Sequence, residues 1–249
     1  MDYAAALIEQ NRLLADVVLA GDPATPVPTC PGWTLLQLLR HVGRGDRWAA
    51  QIIRKRPTGY LDPRQVPDGR PPDNPAGAGD WLIESARTVL DAVDEAGSDT
   101  VVWTFLGPRP ARWWIRRRLH EATVHRADAT LATGGSYTLS ADLSADGIDE
   151  WLDRLEVELA AAPTAAIDEA ATIALHATNL DEDSGSWHIR GLQSGIAWNR
   201  GNAAAPAQTR LIGNATELFL ALVRRSNVDS TQLEGDADVW RQWLAGTPL

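Results

Sequence analysis

The sequence is poor in several residue types that often carry structure or chemistry. Its 249 residues include one cysteine, Cys30, one methionine and one lysine, Lys55. A single cysteine excludes an intramolecular disulfide and any metal site built from several cysteines. No apolar run approaches the ~18 residues of a membrane-spanning helix. The first residues also lack the basic segment that opens a secretory signal. We therefore expect a cytoplasmic protein with no membrane partner.

Positive charge is also scarce. The chain has 23 Lys and Arg against 33 Asp and Glu, which gives a formal net charge of −10. This charge argues against a nucleic-acid partner, because proteins that bind nucleic acid generally present a positive field. Hydrophobic residues at 44% and charged residues at 22% are ordinary for a folded globular protein. Eleven Trp against two Phe make tryptophan the aromatic residue that we expect to fill the core.

The first half of the chain has the pattern of a helical bundle. Thr34 and Gln37 have the spacing of a capping box, which predicts the start of one helix. The segment 57–79 contains six prolines and four glycines and therefore predicts a long loop. Asp80 is expected to cap the helix after this loop. Predicted helices, from apolar spacing, cover 2–20, 34–56, 80–97 and 111–132.

The pattern changes after Gly134 and Gly135, where short runs of β-favouring residues replace long helical periods. Predicted strands cover 172–178, 186–192, 195–199 and 208–213, and predicted helices cover 142–162, 214–225 and 236–245. The expected fold class is therefore two domains. An all-α four-helix bundle covers 1–135, and a small α+β domain covers 136–249.

The most specific chemistry lies in a short run of histidine and glutamate. His120 and His125 resemble a zincin pair, but they are five residues apart, or about 140° around a helix, instead of four. Glu121 and His125 are four apart and can converge on one point. His41, on an otherwise apolar or small face of the second helix, is the natural third ligand. Such a set would leave coordination positions open, as in catalytic zinc sites. Spacing alone leaves the alternative of a core histidine and a solvated Glu–His pair.

Two segments around these residues resemble a known family. Residues 30–49 contain Pro-Gly-Trp-Thr with a histidine seven residues after the threonine, and residues 113–134 contain R-x-x-H-E-x-x-x-H-R-x-D. Both patterns are similar to the mycothiol-dependent maleylpyruvate isomerase-like family, part of the wider damage-inducible-B-like (DinB-like) metal-binding four-helix bundles. The resemblance implies His41, Glu121 and His125 as ligands of a divalent metal, with zinc as the expected ion.

The C-terminal part resembles the second domain of that family, which has a sterol-carrier-protein-like α+β fold. Residues 178–190 and 213–243 carry this resemblance. The family has a leucine-rich helix that ends in Trp-Gly-Arg, whereas this chain has Val223, Arg224 and Arg225. An arginine of this domain is assigned to the active site in isomerase members. The resemblance therefore implies Arg225 as a catalytic residue, although the tryptophan and glycine before it are missing.

The resemblance also implies a reaction class. Family members use mycothiol, the low-molecular-weight thiol of actinobacteria. A free thiol with a pKa near ~8.5 is only partly thiolate at neutral pH, and metal coordination favours the thiolate. Thiolate addition to a conjugated double bond, rotation and elimination give a cis–trans isomerase, whereas a stable adduct gives an S-transferase. The expected partners are mycothiol as cosubstrate and a small electrophile, which could be anionic.

Several nearby side chains have roles that the sequence leaves open. Arg117 matches a family position, and Asp128 is placed either to orient an imidazole or to pair with a surface arginine. Cys30 is expected to be a small buried loop residue rather than a nucleophile. Arginines that flank the proposed ligands, and that an anionic substrate would need nearby, are Arg112, Arg116, Arg117, Arg118 and Arg126.

Two other functions remain open from the sequence. One is a metal hydrolase of the same fold that uses bound water and no thiol. The other is a non-enzymatic protein whose C-terminal domain holds an apolar ligand while the metal is structural. Turnover without added thiol would favour the first, and a dry apolar cavity in the C-terminal domain would favour the second.

Overall fold

The computed structural model of the protein describes residues 1–161, 165–201, 204–225 and 231–247. Contacts between residues divide the chain into two units, Met1–Tyr137 and Thr138–Leu249. The first unit is mostly helical, and the second combines helices with a sheet, so the predicted fold class is confirmed. Within the described residues, no helix combines the length and apolar character needed to cross a membrane.

Four helices form the first unit, and their apolar faces share one core. Leu14, Leu38 and Leu82 come from three of the helices and are fully buried there, packed with small residues such as Ala122 of the fourth. Short elements connect the last three helices. The elements are α1 Tyr3–Ala20, α2 Leu35–Lys55, a 3-10 turn Pro63–Gln65, α3 Pro75–Ala96, β1 Val101–Val102, β2 Arg109–Pro110 and α4 Trp113–Ala132.

The start of α2 confirms the predicted capping box. The Thr34 side chain accepts from the Gln37 backbone N–H at 3.4 Å, and the Gln37 side chain accepts from the Thr34 N–H at 2.8 Å. These reciprocal bonds satisfy two donors that a helix start leaves open. The helix ends at Lys55, followed by Arg56 in the left-handed region, close to the predicted end.

The predicted cap of α3 at Asp80 is wrong. Asn74 caps the helix instead, because its side chain accepts from the Gly77 N–H at 2.7 Å and Pro75 occupies the first turn. Two of the four glycines that suggested a loop, Gly77 and Gly79, lie inside this first part of the helix. Gly79 packs closely there, since a Cβ on it would lie 2.8 Å from a methyl carbon of Leu19. Close packing against α1 therefore offsets the low helix propensity of glycine.

The second unit is a five-stranded mixed sheet with helices. The strand order is β5-β4-β3-β6-β7, and all pairs are antiparallel except the parallel pair β3–β6. The elements are α5 Ala141–Ala160, β3 Thr172–Ala177, β4 Ser186–Gly191, β5 Ile196–Arg200, β6 Thr209–Gly213, α6 Ala215–Leu222, β7 Gln232–Gly235 and α7 Ala237–Gly246.

The predictions for this unit differ from the structure in two places. Strand β7, Gln232–Gly235, is absent from the prediction because it is a short, mostly exposed edge strand with polar residues. Helix α6 ends at Leu222 instead of 225, and Arg224 then takes a left-handed conformation at φ 57°. The last residue of the predicted helix 142–162 lies outside the described residues.

Candidate metal centre

Helices α2 and α4 bring the three predicted ligands together. His41 lies on α2, and Glu121 and His125 lie one turn apart on α4. One ligand atom from each lies within 4.8 Å of the other two. The nearest Glu121 carboxylate oxygen lies 3.3 Å from the His41 Nε2 and 3.3 Å from the His125 Nε2. Two imidazole nitrogens and one carboxylate oxygen therefore face a common point, which is a donor set that suits zinc.

Glu121 is held as a carboxylate. Its second oxygen pairs with Arg117, one turn earlier on α4. Burial by itself raises the pKa of Glu121, but the charge of Arg117 and hydrogen bonds from the two imidazoles hold it well below its ordinary range. The side chain thus presents a negative charge to the centre.

His125 is fixed in orientation by Asp128. The buried Asp128 carboxylate lies 2.8 Å from the His125 Nδ1, on the side of the ring opposite Nε2. Burial by itself lowers the pKa of His125, but its hydrogen bonds, above all with Asp128, raise it to about 10. A carboxylate on the remote ring nitrogen is the usual support of a metal-ligating histidine. The three converging ligand atoms, together with the Asp128 carboxylate that holds the His125 ring, therefore fit a divalent metal.

Two further residues border the centre. The Trp33 ring lies 4.7 Å from the His41 ring and 6.3 Å from the His125 ring, centroid to centroid. The Cys30 thiol donates to the same Asp128 oxygen at 3.4 Å and is only partly buried. Partial burial lowers the pKa of His41, whose side chain remains 40% exposed. The centre is thus walled by Trp33 and open to solvent on the side of His41.

Three arginines of α4 belong to the protein's own interactions. Arg117 pairs with Glu121, Arg118 donates from Nε to Asp46 at 2.7 Å, and Arg126 donates from Nε to Gln10 at 2.8 Å. All three are at most 7% exposed. Gly45 makes room for one of them, since a Cβ there would lie 2.5 Å from the guanidinium of Arg118. These residues are therefore not solvated surface charges, and their donors serve the packing of the bundle.

A different set of arginines, which was not singled out from the sequence, lines cavities near His41. His41, Trp33 and Gln37 line a cavity of about 160 Å³ together with Arg40 and Arg44 of α2. The last two also line a cavity of about 550 Å³. The signal for them was present in the sequence, because residues 40 and 44 are one helical turn apart and one of them is next to His41.

Arg225 lies in the second unit, just after α6. Its backbone N–H donates to the Leu220 carbonyl at 2.8 Å, and its Nη1 donates to the Val223 carbonyl at 2.6 Å. The side chain is partly buried. The catalytic role that the resemblance implies for Arg225 stays a prediction.

Comparisons with known proteins match both parts of the chain. Residues 4–130 match the profile of the mycothiol maleylpyruvate isomerase (MDMPI) N-terminal domain. Residues 142–242 match the profile of the MDMPI C-terminal domain. Crystal structures of the mycothiol-dependent maleylpyruvate isomerase and of a mutant of it are similar, with TM-scores of 0.58 and 0.61. Each is 16% identical and covers 94% of this chain and 92% of its own. A search of curated proteins found no match.

Proposed function

The chain belongs to the mycothiol maleylpyruvate isomerase family, and from this premise we propose that it is a metalloenzyme that uses mycothiol as a cosubstrate. Family membership confirms the resemblance seen in the two sequence segments. The observation that carries the proposal is the convergence of His41, Glu121 and His125, whose ligand atoms lie within 4.8 Å of one another. Three protein ligands and an exposed side are what a catalytic metal site requires.

His41, Glu121 and His125 would hold a divalent metal, which we take to be zinc. When bound, the metal would supply the positive charge that keeps a thiol in its thiolate form near neutral pH. Asp128 contributes by holding the His125 ring, so that Nε2 stays directed at the centre. Arg117 contributes by keeping Glu121 ionised and oriented through its second oxygen.

The reaction that we propose is the cis–trans isomerisation of a small electrophile. Thiolate addition to a conjugated carbon breaks its π bond, the remaining single bond rotates, and elimination of the thiolate restores the double bond. S-transfer is the second possibility, because it uses the same ligands and stops at the adduct. We also propose Arg225 as a catalytic residue of the isomerase. The cytoplasmic location stays a prediction.

Metal content of the purified protein tests the ligand set. We expect about one equivalent of divalent metal in the wild type and a loss of that metal in His41→Ala. His188→Ala is the matched control, because His188 lies in the second unit and is hydrogen bonded to the Pro206 carbonyl. Retention of a full equivalent by His41→Ala would overturn the ligand assignment.

Titration with mycothiol tests the thiol. In a cobalt-substituted protein, coordination of sulfur is expected to change the visible absorption of the metal, with saturation near one thiol per site. The same preparation is then assayed for loss of a cis double bond with and without mycothiol. An unchanged spectrum together with isomerisation in the absence of thiol would contradict the proposal.

A further inference from the structure

Four arginines line the cavity of about 550 Å³ next to the candidate metal centre. Two come from α2 and two from the loop that precedes α3, so the cavity lies between a rigid helix and a long connection. Its volume is typical of sites for small molecules. The charged and small lining residues are Arg40, Arg44, Arg64, Arg70, Asp68 and Gly69.

Among the described residues, the arginines that line this cavity outnumber the carboxylates near it. Asp68 is in the lining, and Asp62 pairs with Arg64. Four arginines with these two carboxylates leave an excess of two positive charges. No ion pair within the described ranges uses Arg40, Arg44 or Arg70. Several positive charges gathered around a cavity raise its affinity for an anion.

Arg44 connects the two walls of the cavity. Its Nε donates to the Gly69 carbonyl at 3.2 Å, which ties the loop to α2. This bond uses one of the five guanidinium N–H groups and leaves the terminal nitrogens for another acceptor. Partial burial, with a further contribution from the nearby charges of Arg40 and Arg70, lowers the pKa of Arg44. A bound anion would relieve this repulsion.

We propose that this cavity binds a small dianion through Arg40, Arg44 and Arg70, at a site distinct from the metal ligands. The planar guanidinium group matches both carboxylate and phosphate oxygens in a bidentate manner, so a dicarboxylate and a phosphate share the required chemistry. Arg40 and Arg44 also line the smaller cavity that His41 borders, so the dianion would lie in a cavity that adjoins that one. Binding here requires neither the metal nor the thiol and is therefore independent of the proposed reaction.

Calorimetric titration of the full-length protein with maleate, and separately with inorganic phosphate, tests this site. We expect one of the two to bind at one equivalent per chain, with an affinity that falls as salt is added. Dimethyl maleate, which has the same carbon skeleton and no charge, is expected not to bind. Tighter binding of maleate identifies a dicarboxylate site, and tighter binding of phosphate identifies a phosphate site. Equal binding of the neutral diester, or no binding of either dianion, would overturn the proposal.

Variants locate the binding. Arg44→Gln and Arg70→Gln are expected to weaken dianion binding at least tenfold, since a charged hydrogen bond contributes about 1.5–3 kcal/mol. Arg70 is exposed on the loop, so its replacement does not threaten folding. Arg54→Gln is the matched control, because it removes the same charge from α2 outside the cavity. Unchanged binding in Arg44→Gln and Arg70→Gln would place the anion elsewhere, including on the metal. The metal content of these variants, measured in parallel, separates this result from a failure of the metalloenzyme proposal.

Discussion

Arginines have opposite surroundings on the two helices that form the candidate metal centre. On α4, Arg117, Arg118 and Arg126 are buried, and each donates to a partner within the protein. On α2, Arg40 and Arg44 are only partly buried and line cavities. A guanidinium removed from water must be paired, because its desolvation is otherwise uncompensated. Arg117, Arg118 and Arg126 are therefore fixed parts of the structure. Arg40 and Arg44, unlike Arg54 of the same helix, remain available to a ligand.

Removing the partner of a buried α4 arginine should have the largest effect. Asp46→Ala leaves Arg118 buried without its carboxylate, and we expect a loss of about 3–5 kcal/mol in the free energy of unfolding. Glu95→Ala is the control, since it removes the partner of Arg54 on the surface and should cost much less stability. Urea denaturation measures both. Similar losses in the two variants would show that burial does not distinguish these pairs.

Alkaline pH should weaken the part of the bundle where Arg126 faces a tyrosine. The Arg126 guanidinium lies 4.3 Å from the centre of the Tyr137 ring, and burial raises the pKa of Tyr137 to about 12. Between pH ~10 and ~12 the unfolded chain loses this proton while the folded chain keeps it, so stability falls as pH rises. The full loss is about 2–3 kcal/mol.

Comparison with Tyr137→Phe isolates this titration. The variant also loses the hydrogen bond from Tyr137 to the Thr123 carbonyl, so it should be less stable already at pH 8. What distinguishes the titration is the slope of unfolding free energy against pH, which should be shallower above pH ~10 in the variant. Parallel curves for the two proteins would refute the assignment.

The carboxylate behind His125 should have a smaller effect, which is measured through metal binding. Asp128→Asn keeps the size of the side chain but removes its charge, and we expect metal affinity to fall about 10- to 100-fold. Asp94→Asn makes the same change in charge at an exposed position of α3 and should leave affinity unchanged. Competition with a chelator of known affinity measures both. Equal affinities would mean that Asp128 serves packing only.

Local signals explain what the sequence could predict. The capping box at Thr34 marks the start of α2, and a four-residue spacing puts Glu121 and His125 on one face of α4. The start of α2 and the pairing of these two side chains could therefore be predicted without a structure. That His41 faces them depends on how α2 packs against α4. Its apolar helix face suggested this position, and the resemblance to a family supported it. The start of α3 was missed because Asn74 and Asp80 are both good caps, and the prolines and glycines between 57 and 79 indicated a loop, although Asn74 followed by Pro75 is itself a local signal for a helix start.

The arginine-lined cavity was beyond prediction for a related reason. Arg40 and Arg44 are neighbours on a helix, but Arg64 and Arg70 lie in a loop whose path is set by contacts such as the one from Arg44 to Gly69. The sequence pointed to the arginines that flank Glu121 and His125 as those that an anionic substrate would need nearby. Three of them, Arg117, Arg118 and Arg126, are buried and paired within the protein, and burial is a property of the folded chain.

Removing the unpaired arginines of α2 should have the smallest effect on stability. The double change Arg40→Gln and Arg44→Gln removes two like charges that repel each other and Arg70, at the cost of the single bond to Gly69. We expect the free energy of unfolding to stay within about 0.5 kcal/mol of the wild type at moderate salt. At low salt, where the repulsion between the arginines is less screened, the variant should gain stability relative to the wild type. Urea denaturation at two salt concentrations measures this difference. A large loss of unfolding free energy at both salt concentrations would show that these side chains hold the loop against α2, as Arg117, Arg118 and Arg126 hold the bundle.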